Sequence, residues 1–131
     1  MESAPRHQAR ERALTLLYEA ELKDATPTAV LDELLVAPDD YTTTLVEAVE
    51  ARRPEIDTMI DETAIGWDLD RMAVVDRNVL RLAVAELLSS ADVPTAVILN
   101  EAVELASAYS TDDSGRFVNG VLATLATRIR P

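Results

Sequence analysis

The chain has 131 residues, no cysteine, three glycines and a 48% apolar fraction, and its 24 acidic against 12 basic side chains give a formal charge of −12 at pH 7. That length suits a single domain over residues 1–131 with a core of its own, and the lack of cysteine excludes disulfides, thiolate metal sites and cysteine nucleophiles, in keeping with a reducing compartment. The charged start MESAPRHQARER, and the lack of any run near the roughly 18 apolar residues of a membrane span, predict a cytoplasmic protein with no membrane segment.

Few glycines leave little turn chemistry for hairpins, while abundant Ala, Leu, Val and Glu favour helices, so the fold class is all-α. After a short mobile arm over residues 1–5, apolar Ala9, Ala13, Leu16, Leu17 and Ala20 recur at three- and four-residue steps and share one face of a helix running from about Arg6 to Lys23. Pro5 suits its first turn. Arg6 and Arg10 stand four apart, so this helix should offer both guanidinium groups in one direction. Together with His7 and Arg12 they form the one basic end of an acidic molecule.

Thr26-Pro27 reads as the start of a short second helix with Val30, Leu31, Leu34 and Leu35 inward and Pro38 closing it. Asp39 or Asp40 can cap a third helix, whose stripe of Leu45, Val49, Ile56, Met59 and Ile60 is interrupted at Pro54, where the missing N–H should kink or split it, a bend being expected. Gly66-Trp67 punctuates the middle. Leu69, Met72 and Val75 then suggest one short helical turn, followed by a longer helix carrying Val79, Leu80, Ala83, Leu87 and Leu88. Pro94 opens a helix through Val97, Ile98, Ala102 and Leu105. The stretch Thr111 to Ser114 offers several caps for the last helix, with Val118, Val121, Leu122 and Leu125 inside. About seven helices in two packed antiparallel clusters result, with halves at about 6–64 and 67–131.

Catalytic chemistry has little to stand on. A single histidine excludes a His pair for a metal, three scattered glycines make no phosphate loop, and the carboxylates read as solvated faces, so neither an enzyme nor a cofactor is expected.

Three segments carry a family resemblance. They are R-H-Q-A-R-E-R-A-L-T-L-L-Y at 6–18, W-D-L-D-R-M-A-V-V-D-R-N-V-L-R-L-A-V-A-E-L-L at 67–88, and V-P-T-A-V-I-L-N-E-A-V-E-L-A at 93–106 with D-D-S-G-R-F-V-N-G-V-L at 112–122. In this order and spacing the chain resembles the NusB family of bacterial antitermination factors; residues 24 to 64 add only helical pattern. The resemblance implies a seven-helix protein that pairs with NusE, a ribosomal protein. The pair binds boxA-type single-stranded RNA, notably in ribosomal RNA leaders, and works within an RNA polymerase antitermination complex.

By the same resemblance, Arg6, His7 and Arg10 match the RNA-contacting segment, although a basic residue is more usual where His7 stands. Arg116 and Phe117 match a second RNA-facing region, and Tyr18 and Asp76 match positions at the NusE interface. Guanidinium groups suit phosphate and unpaired bases, as does an aromatic ring for stacking. Each assignment has a plainer counterpart: solvated arginines, a core phenylalanine, a half-buried tyrosine, and an aspartate capping a helix that begins near Arg77. Gly120 is expected where a neighbouring helix approaches closely, with Glu101 and Asn119 hydrogen-bonded beside it. Monomer and homodimer both stay open. So does a purely protein-binding module, whereas a domain of an RNA cytosine methyltransferase would need a separate catalytic part.

Overall fold

The structure, a computed structural model, describes residues 4–131. It contains α1 (Ala4–Leu22), α2 (Pro27–Asp32), α3 (Asp40–Ala51), α4 (Arg53–Thr63), a 3-10 turn (Leu69–Arg71), α5 (Val74–Ser89), α6 (Thr95–Tyr109) and α7 (Asp112–Ile129), with no strand among the described residues. Of the expected arm, Met1 to Ser3 lie outside the described residues, and Ala4 and Pro5 already belong to α1.

Local chemistry explains most boundaries. The Thr26 hydroxyl accepts from the Ala29 N–H with Pro27 in the first turn, and the Asp39 carboxylate accepts from the N–H groups of Tyr41 and Thr42, so α2 and α3 both start on a capping side chain. Pro54 splits its helix rather than bending it: α3 ends at Ala51, Arg52 leaves helical geometry, and the proline sits in the first turn of α4, where no N–H is needed. Gly66 takes a left-handed φ of 85°, which turns the chain after α4 at no side-chain cost.

Three expectations fail here. First, α2 stops at Asp32, well before Pro38, so the helical period no longer governs Leu35, and that side chain is fully exposed instead of inward. Second, α5 begins at Val74, which makes Asp76 a first-turn residue and not the cap of a helix starting near Arg77. Its charge faces the positive end of the helix dipole.

Third, Gly120 is exposed and a Cβ there would meet nothing, whereas a Cβ on Gly115 would collide with the Ser107 hydroxyl and reach Val103 Cγ1 at 3.4 Å. The close helix crossing, of α7 on α6, is therefore at Gly115. Glu101 does not serve Asn119 either; it belongs to a cluster described below.

At the centre is α5, which packs against α1, α3, α4, α6 and α7, and its residues Asn78 to Leu87 are buried without interruption. A helix enclosed on all sides has no polar face to spare, so the charges it carries must be paired. Arg81 and Arg77 reach Glu21 of α1, and Arg81 also reaches Asp57 of α4 at 2.9 Å. Burial pushes the Glu21 carboxyl up, but hydrogen bonds from Arg77 and Arg81 outweigh it and hold the group below the usual carboxylate range.

Candidate nucleic-acid interface

The basic end is built from four helices. Arg10 and Glu86 are each 1% exposed, and the Arg10 guanidinium donates through Nε and Nη2 to Glu86 and through Nη1 to Glu101 Oε1 at 2.8 Å. The Tyr41 hydroxyl of α3 donates to Glu86 at 2.6 Å, and burial together with that carboxylate pushes the phenol up to about 12. One step outward, the Arg6 guanidinium lies 4.5 Å from the Tyr41 ring centre and pairs with Asp92 at 3.2 Å. His7 meets Glu101 at 2.9 Å and Glu11 at 3.6 Å, and the hydrogen bond to Glu101 holds its ring above the usual histidine range.

Arg6 and Arg10 therefore share a side, both guanidinium groups lying against the Tyr41 ring at 4.5 and 5.9 Å, but they differ in depth. Residues four apart differ by about 40° around a helix, and that offset is enough for Arg10 to enter the α1, α5 and α6 junction while Arg6 stays at the rim. Charge pattern favoured solvent for both; the two buried carboxylates decide otherwise for Arg10. His7, Glu101 and Glu104 place one ligand atom each within 4.8 Å of one another, with Glu101 already paired to both Arg10 and His7.

The other candidates gather on the opposite edge of the α5 start. Phe117 meets Trp67 edge to face, with ring centres 6.0 Å apart, and the two rings wall a pocket of about 350 Å³ that Arg71, Asp76 and Ser114 complete. The Phe117 ring also packs against the core, so its core and surface readings hold together. Arg116 is exposed and paired with Asp113. Asp76 accepts from the Ser114 hydroxyl through Oδ2 at 3.1 Å, while its buried Oδ1 has no hydrogen-bond partner. A second cavity of about 270 Å³ adjoins it through Val75, lined by Leu14, Tyr18 and Tyr109, with Tyr18 38% exposed.

The sequence reading missed Tyr41, Glu86, Asp92, Glu101 and Trp67. Two of these carried a signal: Glu86 falls on the stripe of Val79, Leu82 and Ala83, and Glu101 between Ile98 and Leu105, so both are acids at apolar positions of a helical period. An acid on a buried face needs a cation, and arginine is the cation suited to two carboxylates at once.

The NusB family model matches residues 7–127. Similar curated proteins include the transcription antitermination protein NusB of Saccharopolyspora erythraea, 52% identical over 127 residues, and that of Acidothermus cellulolyticus, 50% identical over 124; each alignment covers 92% of this chain and 86% of the relative. Among solved structures, Thermotoga maritima NusB superposes with a TM-score of 0.88 at 34% identity, covering 100% of this chain and 96% of that one. A structure of antitermination factors NusB and NusE in complex with dsRNA superposes at 0.82 with 30% identity, covering 97% and 99%. Matched over nearly its whole length in sequence and in fold, the chain belongs to the NusB family.

Proposed function

We propose that this protein is a transcription antitermination factor that pairs with a NusE-type ribosomal protein and binds boxA-type single-stranded RNA in support of ribosomal RNA transcription. Its role is one of assembly in the cytoplasm, without catalysis. The observation that carries this reading is the Asp76 carboxylate on the wall of one aromatic-lined cavity, with Tyr18 lining a second. The solved complex of a NusB with NusE and dsRNA, at 30% identity, supports pairing with NusE and contact with RNA.

Within it, Tyr18 and Asp76 face the protein partner, while Arg6, His7, Arg116 and Phe117 face RNA. Arg10 supports the RNA side from within by holding α1 on α5 and α6. With the net charge at −12, a basic ribosomal partner supplies the remaining attraction for phosphate. Two or three phosphate contacts from this subunit correspond to a salt slope of only about −1.4 to −2.1.

Fluorescence anisotropy of a labelled boxA-type RNA and a scrambled control, titrated with this protein alone and with equimolar NusE, tests the proposal. Tighter binding of boxA over the control in the presence of NusE is the expected result. NusE binding with no RNA discrimination would leave the protein as a purely protein-binding module, a reading favoured by the thinness of the basic patch once Arg10 is buried.

A further inference from the structure

Resting on the RNA reading above, we propose that Asp92 sets the RNA affinity of the basic end by occupying the anion position of Arg6. The Arg6 guanidinium carbon lies 4.5 Å from the Tyr41 ring centre, a cation–π contact that helps fix the group, and its N–H groups are what it offers an anion. Asp92 accepts from Nη2 at 3.2 Å. Carboxylate and phosphate bind guanidinium through the same kind of donor, so an RNA phosphate that takes the Nη2 side of Arg6 competes with Asp92 for it.

Both halves of the pair are held in place. The Tyr41 hydroxyl is fixed by Glu86 and by Ser90 at 3.1 Å. The loop between α5 and α6 that carries Asp92 is clamped by Arg130, whose guanidinium donates to the carbonyls of Leu87 at 3.0 Å, Ser90 at 2.9 Å and Val93 at 2.6 Å. The Val93 side chain is buried next door. Asp92 itself is well exposed and makes no other side-chain bond among the described residues, so the fold does not depend on it. A clamped loop thus presents a carboxylate to the one surface guanidinium of α1 that an aromatic ring orients, where RNA can compete for it.

The test is anisotropy with the boxA-type RNA and equimolar NusE, comparing wild type, Asp92→Asn, Arg6→Ala and the double variant. Asp32→Asn, an exposed carboxylate of α2 beyond the other end of α1, controls for net charge. Asp92→Asn is expected to tighten RNA binding about two- to five-fold, the scale of an exposed ion pair. The control should change it by less than about 1.5-fold, because distant exposed charges are screened. In the Arg6→Ala background the Asp92→Asn gain should fall to the control value. Equal effects of Asp92→Asn and Asp32→Asn, or a gain that survives Arg6→Ala, would overturn the inference while leaving the RNA reading intact. A wild-type protein that binds no RNA in the presence of NusE would overturn the RNA reading and this inference with it.

Discussion

Replacing Arg10 by alanine tests the claim that this arginine is structural. Arg10 is 1% exposed and donates to both Glu86 and Glu101, so its removal strips two largely buried carboxylates of their shared cation. Glu86 keeps the Tyr41 hydroxyl and Glu101 keeps His7, but neither replaces a guanidinium fork. Breaking a buried ion pair in this way costs about 3–5 kcal/mol, a large share of the roughly 5–15 kcal/mol that holds a domain together. For a chain of this size that corresponds to a fall in Tm of about 10–20 °C.

Thermal unfolding followed by circular dichroism reads the effect, and the double variant Arg10→Ala, Glu86→Gln identifies its source. Neutralising Glu86 removes one stranded charge, so the double variant should be more stable than the sum of the single changes implies, by about 1–3 kcal/mol. A Tm within about 2 °C of wild type, with additive single and double effects, would refute the buried-cluster reasoning and return Arg10 to the RNA surface. Arg6→Ala, which removes an exposed pair with Asp92, is the cleaner probe of RNA contact.

The remaining predictions use other assays. Gly120→Ala should stabilise the protein by about 1 kcal/mol, the helix propensity of alanine over glycine, since a Cβ there meets nothing. Gly115→Val should lower Tm by forcing α7 away from Ser107 and Val103, and a swap of these two outcomes would mean the helix crossing is misplaced. The folded-state pKa of His7 is raised above 6.5 by Glu101, so the stability of wild type relative to His7→Gln should be full below that value and vanish as pH rises through the raised one. Urea unfolding across this window checks it, and a constant difference would contradict the assignment. Asp76→Asn should weaken NusE binding about ten-fold or more, the scale of a charged hydrogen bond, with a fall in Tm of no more than about 5 °C from the lost helix-dipole interaction; calorimetric titration showing unaltered affinity would remove Asp76 from the partner face.

How much of this was legible before folding depends on the range of the interactions involved. Helix starts at Thr26, Asp39 and Thr111, the break at Pro54 and the buried stripe of α1 rest on contacts within one turn, and the residues that make them are adjacent in the sequence. The failures at Leu35 and Gly120 share a cause: periodicity tells which residues share a face only while the helix lasts, and it does not say which face a neighbouring helix approaches. Of the site, the family motifs singled out Tyr18, Asp76, Arg116 and Phe117, but not the Trp67 ring that with Phe117 walls the pocket beside Asp76.

The sequence by itself determined about seven helices, the capped starts of three of them, the family and the excess of acid. The tertiary structure alone decided what each arginine of α1 meets. Arg10 finds Glu86 and Glu101 from 76 and 91 residues away, and Arg6 finds Asp92 from 86. A guanidinium and a carboxylate carry their charge wherever they stand in the chain. Whether that charge is solvated, buried in a pair or offered to a phosphate is settled by desolvation, which depends on packing among distant segments and has no local signature.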